Sequence, residues 1–236
     1  MLTRTETLTV PDGQTFEGYL ALPDTGRGPG LLVLQEIFGV NEYIRDVCDR
    51  LAALGYVALA PDVFWRIEKG VQIAHDEEGL KQAYSYIGQY DWSTGINDLA
   101  LALQHLRAMP EAGGRAGVIG FCFGGTTSFA LGCVAQPDVV VSYYGSGVPD
   151  WLDKAGNVSM PTLLHFGSND PFIPVEQIEK VKAWAADKPN VECHLYSSGH
   201  AFDNKFSDMF SDPTAAEAAW ANTTRFLAAH LPVGGQ

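Results

Sequence analysis

In Val118-Ile119-Gly120-Phe121-Cys122-Phe123-Gly124-Gly125 a short β-branched pair runs into a cysteine framed by glycines, and the residues that follow, Gly124–Val134, are small and apolar. A chain that passes from strand to helix in so few residues turns tightly, so the positions two before and two after the turn residue must lack bulk. Both are glycine here. This is the context of a nucleophile elbow, with cysteine where serine is commoner. A thiol at a helix N-terminus gains from the positive end of the helix dipole, which favours thiolate.

Such an elbow requires an acid and then a histidine further along the chain, each at the end of a strand. Thr162–Phe166 reads as a strand and runs into Gly167-Ser168-Asn169-Asp170-Pro171; Val191–Tyr196 reads as the next and runs into Ser197-Ser198-Gly199-His200-Ala201-Phe202. Loops beyond the carboxyl ends of strands are where open α/β sheets build their sites. Asn-Asp-Pro is also ordinary turn chemistry, so Asp170 alone would say little. His200 is the one histidine on a loop after a strand and downstream of both partners: His105 and His230 fall in helical patterns, His165 and His194 in strands, and His75 in a weakly patterned stretch. Cys48, Cys133 and Cys193 sit inside apolar helical or strand patterns and read as core thiols.

Outward from this centre the pattern alternates. Thr3–Val10 and Thr15–Leu22, joined through Asp12-Gly13, predict an N-terminal hairpin. Leu31–Leu34 and Tyr56–Ala60 are short apolar runs that suit covered strands, with a helix between them capped by Asn41 and stopped at Gly55. Asp76–Tyr90 and Ser93–Met109 predict helices, Val139–Tyr143 a strand, Val175–Asp187 a helix, and Pro213–His230 a helix opened by Asp212 and Pro213. Phe64–Leu80 has weak periodicity and clustered charges and predicts a loop over the site. Strand and helix in alternation predict an α/β fold: a mostly parallel central sheet with helices on both faces, as a single domain over 1–236.

Composition removes other classes. The 236 residues carry a formal charge of −13, which is wrong for capture of nucleic-acid phosphates. At 46% hydrophobic and 18% charged the chain has the composition of a packed globule. No apolar run approaches a membrane span, and Met1–Val10 alternates where a secretory leader would be apolar, so a cytoplasmic protein is expected. The scattered cysteines form no C-x-x-C pair, and no metal or cofactor is expected.

With these residues in place the chain resembles the dienelactone hydrolase family of α/β-hydrolases. The resemblance rests on Gln35-Glu36-Ile37-Phe38-Gly39-Val40-Asn41, Ala60-Pro61-Asp62, the Cys122 elbow, Tyr143-Tyr144-Gly145, His165-Phe166-Gly167 through Asp170, and Gly199-His200-Ala201-Phe202. It implies Cys122 as nucleophile, His200 as base, Asp170 as its orienting acid, and Glu36 as a carboxylate that helps convert thiol to thiolate. The backbone N–H groups of Ile37 and Phe123 are the expected oxyanion donors. Tyr84 and Tyr143 match family pocket positions, and with Lys81 and Asn204 they are the expected substrate-binding residues. The family's two carboxylate-gripping arginines align with Leu80 and Asn204; Lys81 and Lys205 lie one residue further on, and lysine does not reproduce a bidentate arginine grip.

The expected activity is therefore hydrolysis of activated carboxylic esters or lactones, such as enol lactones and aryl esters, through an acyl-enzyme on Cys122. The partner is a small molecule, and the protein a monomer or weak homodimer. Activated phosphotriesters are a secondary expectation. A non-catalytic binding protein on the same fold and a redox thiol protein are the competing readings.

Overall fold

The computed structural model describes residues 1–234; the expected domain span of 1–236 runs two residues beyond them. Eight strands form one sheet in the order β1-β2-β4-β3-β5-β6-β7-β8. They are β1 (Leu2–Thr9), β2 (Thr15–Leu22), β3 (Gly30–Leu34), β4 (Val57–Pro61), β5 (Ala116–Phe121), β6 (Val140–Tyr143), β7 (Thr162–Gly167) and β8 (Val191–Tyr196). The hairpin β1–β2 pairs antiparallel in register from Leu2–Leu22 to Thr9–Thr15, and β2 pairs antiparallel with β4. All pairings from β4 to β8 are parallel. Every residue of β3 to β7 is buried, so the apolar runs of the sequence mark strands covered on both faces.

Six α-helices cover the sheet: α1 (Glu42–Ala53), α2 (Glu77–Ile87), α3 (Trp92–Ala108), α4 (Phe123–Val134), α5 (Val175–Ala185) and α6 (Pro213–His230). Their starts follow the side chains that the sequence offers as caps. Asn41 accepts from the Ile44 N–H, Asp76 from Gly79, Asp91 from Thr94, and Asp212 from Thr214 and Ala215, satisfying donors that a first helical turn leaves without partners. A ten-residue 3-10 segment, Val148–Asn157, was not foreseen, because its i-to-i+3 bonding leaves no 3.6-residue apolar period to detect.

The chain steps from β3 to β4 on one side and returns to β5 on the other. Loops leaving β3 and β5 therefore diverge at their carboxyl ends and open a crevice there. The stretch predicted as a loop over the site ends in the first turn of α2. Its central part is pinned to the β3 loop: Ile73 N–H donates to Phe38 O at 2.9 Å, and Gln72 bridges Gly39. Gly39 has φ +84°, and a Cβ there would lie 1.8 Å from Val71 O, so only glycine permits this approach.

Among the described residues, no helix is long and apolar enough to cross a membrane.

Candidate active site

Cys122 sits between β5 and α4 with φ +56° and ψ −113°, a conformation that costs a non-glycine residue about 1–3 kcal/mol. Close packing holds it there. A Cβ on Gly120 would lie 1.9 Å from Gly124 O, one on Gly124 2.1 Å from Leu34 O, and one on Gly125 2.3 Å from Tyr143 O. The Cys122 N–H donates to Tyr143 O at 3.0 Å, and its own carbonyl accepts from Thr126 N–H at 3.1 Å. The glycines thus let three backbones close around the turn and lift the thiol into the crevice.

Asp170 and His200 leave the adjacent strands β7 and β8, which brings their loops side by side. His200 Nδ1–H donates to Asp170 Oδ2 at 2.6 Å; the other carboxylate oxygen accepts from Phe172 N–H at 2.8 Å. Both side chains are buried. Burial opposes a charged His200 ring, but the nearby Cys122 and the hydrogen bond to Asp170 outweigh it, and His200 is raised to about 10. The loop carrying His200 is tied down by Asp203, whose Oδ2 accepts from Tyr43 OH and Arg50 Nη2, each at 2.8 Å.

Glu36 follows β3 and is almost fully buried. Its Oε2 accepts from Asn204 Nδ2 at 2.9 Å, while Oε1 has no hydrogen-bond partner among the described residues. Asn204 Nδ2 is also 2.9 Å from His75 Nε2, and Asn41 Nδ2 is 3.3 Å from the same atom. With two amide donors aimed at it, His75 Nε2 acts as acceptor. Its 3.5 Å separation from Glu36 Oε2 is then a meeting of two acceptors bridged by the Asn204 amide, rather than an ion pair.

Glu36, Cys122 and His200 share one cavity of about 310 Å³. Ile37 and Phe123 also line it, and neither backbone N–H is engaged by an acceptor among the described residues. Tyr84 lines the cavity and is 50% exposed at its mouth.

Three sequence-based assignments to the substrate pocket need correction. Tyr143 is fully buried and absent from the cavity wall; its hydroxyl meets Thr223 Oγ1 on α6 at 2.6 Å. Tyr144, the next residue, lies beyond β6 with φ +39°, and it is this ring that packs 5.2 Å from His200. Lys81 is exposed and outside the cavity, where Leu80 faces in. Asn204 lies behind Glu36 instead of on the wall, and Lys205 is spent on Asp46 at 2.7 Å.

His75, Trp92, Phe172 and Phe210 were missed. Phe38 and His75 have ring centroids 4.4 Å apart; Trp92, Phe172 and Phe210 line the cavity. The only sequence signal for His75 was its place in the loop expected over the site. None of the other three cysteines lines the cavity, and burial raises all of them: Cys48 well above its ordinary value, Cys133 and Cys193 to about 11.

A family model described as the dienelactone hydrolase family matches residues 16–231. The chain is 33% identical to a carboxymethylenebutenolidase of Pseudomonas sp. (strain P51), over 99% of this chain and 98% of that protein. It is likewise 33% identical to a carboxymethylenebutenolidase of Pseudomonas putida, over 97% of each. A crystal structure from Klebsiella pneumoniae subsp. pneumoniae MGH 78578 superposes with a TM-score of 0.82 at 26% identity, covering 97% of this chain and 99% of that one. The chain belongs to the dienelactone hydrolase family and is an ester hydrolase built on the α/β-hydrolase fold.

Proposed function

We propose that the protein hydrolyses activated, uncharged carboxylic esters and lactones, with aryl esters and enol lactones as the substrate class, through a thioester on Cys122. The observation that carries this reading is the 2.6 Å Asp170–His200 hydrogen bond on one side of an imidazole whose charge is favoured by Cys122 on the other. In the first half-reaction the Cys122 thiolate attacks the carbonyl carbon, and the oxyanion is received by the Phe123 and Ile37 N–H groups. The C–O bond breaks, His200 gives its proton to the departing oxygen, and a thioester remains. In the second, neutral His200 takes a proton from water, the hydroxide adds to the thioester, and the C–S bond breaks to return the thiolate and the acid product. Asp170 keeps the Nδ1–H in place throughout.

A thiolate is a better leaving group than an alkoxide, so the tetrahedral adduct of a simple alkyl ester reverts to substrate. A phenoxide or enolate competes successfully, which selects activated esters. Glu36, with one oxygen unpaired in the same cavity, is positioned to take the thiol proton when Cys122 is not already ionised. Among the described residues no lysine or arginine lines the cavity, which supports an uncharged substrate over a carboxylated one. The names of the Pseudomonas relatives describe those proteins' own activity, and Leu80 and Asn204 are where this chain departs from the arginines that a carboxylate needs.

A panel comparing 4-nitrophenyl acetate, a neutral enol lactone and a carboxylated dienelactone tests the proposal. Turnover of the first two that is abolished in Cys122→Ala supports it; near-parental turnover by that variant, or a strong preference for the carboxylated lactone, overturns it.

A further inference from the structure

Resting on the hydrolytic reading above, we infer that the cavity is divided into two walls with separate duties. Trp92, with Ile87 and Tyr84, receives the acyl portion of the substrate, and Phe172, with Phe210, receives the leaving group.

The division follows from the four substituents of the tetrahedral carbon. One is Cys122 Sγ. A second, the oxyanion, points to the Phe123 and Ile37 N–H groups. A third, the departing oxygen, must lie within reach of a proton on His200, and only Nε2 can supply it because Nδ1–H is committed to Asp170 at 2.6 Å. The leaving group therefore extends past the His200 ring. The aromatic side chains against that ring on the cavity side are Phe172, edge-on at 5.0 Å and 72°, and Phe210, at 6.5 Å and 80°. Phe172 is 43% exposed, so a leaving group held against it has a path to solvent.

For the fourth substituent, the acyl chain, the lining away from His200 offers the small residues Thr126, Ser146 and Gly147 and the wall from α2 and the start of α3, and only the latter presents large apolar side chains. Trp92 packs 5.3 Å from Phe123, and Tyr90 braces both rings edge-on at 5.5 and 4.9 Å. Tyr90 is in turn seated on Gly95, where a Cβ would come within 2.0 Å of its hydroxyl. The edge-packed rings of Trp92, Tyr90 and Phe123 give this wall a largely apolar surface that suits a neutral aliphatic or aromatic acyl group. In acylation the C–S bond forms, the leaving C–O bond breaks beside Phe172, and the proton passes from His200 Nε2 to that oxygen. The acyl group then stays against Trp92 until water removes it.

Two ester series measured on the full chain test the division: phenyl against 2-naphthyl acetate for the leaving group, and 4-nitrophenyl acetate against butyrate and hexanoate for the acyl group. Phe172→Ala is expected to lower the naphthyl-to-phenyl ratio of kcat/KM about tenfold, the worth of one aromatic contact, while the order of acyl preference is kept. Trp92→Ala is expected to flatten the acyl series and keep the leaving-group ratio. Phe172→Tyr and Trp92→Phe, which retain an aromatic ring, restore the parental ratios. Crossed effects, or equal shifts of both series in both variants, overturn the division. If the parent forms no acyl adduct on Cys122, the hydrolytic reading itself fails; an adduct with crossed or uniform ratios sinks only the assignment of the walls.

Discussion

Gly124→Ala is the sharpest probe of how the fold makes the site. The added Cβ would lie 2.1 Å from Leu34 O, 2.5 Å from Leu34 C and 2.6 Å from Gln35 O. All three are backbone atoms, so no rotamer change relieves the overlap. Reaching ordinary contact requires the end of β3 and the start of α4 to separate by roughly 1 Å, and overpacking of this kind costs about 1–3 kcal/mol or somewhat more. At roughly 2–4 °C per kcal/mol for a chain of this length, the melting temperature should fall by about 2–12 °C. The kinetic loss should be larger in proportion, because Leu34 leads directly to Glu36 and Ile37, and a displacement of about 1 Å of catalytic groups costs on the order of 100-fold. Thermal denaturation by circular dichroism and kcat on 4-nitrophenyl acetate read the two effects. Gly156→Ala, where a Cβ would meet nothing within 4 Å, is the control and should change neither. A Gly124→Ala protein with parental melting and parental kcat would refute the claim that close approach of the β3 and elbow backbones builds the site.

Three further outcomes follow from the same geometry. His75→Leu removes the acceptor for the Asn204 amide and should lower kcat/KM about fivefold, since one hydrogen bond is worth about 1 kcal/mol and Glu36 loses its alignment with it. His75→Gln, which still offers an acceptor, should recover most of the loss, and a Gln variant no better than Leu would speak against a positioning role. Because folding raises His200 to about 10, its contribution to stability is fully present below the unfolded value near 6.5 and is lost as pH rises through about 10. Melting temperatures followed across that window should decline in the parent and flatten in His200→Gln; in Cys122→Ala, where the neighbouring negative charge is gone, NMR should show the ring losing its proton at lower pH. Finally, Lys81→Ala and Lys205→Ala should leave the ratio of carboxylated to neutral lactone turnover within about twofold, since neither side chain reaches the cavity; a large drop in that ratio would restore a cationic grip.

The parts of this site that were legible in the sequence lie at the ends of strands. Cys122, Asp170 and His200 stand directly after apolar runs of strand length, in an order that only one fold arranges around a single crevice, and parallel pairing then sets the β7 and β8 loops side by side. Gly120 was readable because its steric reason is local, a Cβ there meeting Gly124 O; Gly124, crowded by Leu34 of β3, was readable only through its spacing from Cys122. What was not legible was set by side-chain direction and by contacts distant in the chain. Tyr143 and Tyr144 are adjacent in sequence and their rings pack 5.8 Å apart, and nothing local says that the second and not the first meets His200. The helical stretch containing Leu80 and Lys81 was correctly expected, but which of the two faces the cavity depends on how α2 packs. His75 reaches Glu36 only because Gly39 lets the loop of residues 64–76 close onto the β3 loop, a contact between segments without a common period.

The central claim is that the reaction passes through a covalent thioester on Cys122. Rapid acid quench of the protein with excess 4-nitrophenyl acetate, followed by intact mass and peptide mapping, tests it directly. The account predicts one acetyl group per chain, located on the peptide carrying Cys122, formed with a stoichiometric burst of nitrophenolate and absent in Cys122→Ala. Steady turnover without a burst, with no adduct or with acetyl found on another residue, would contradict it.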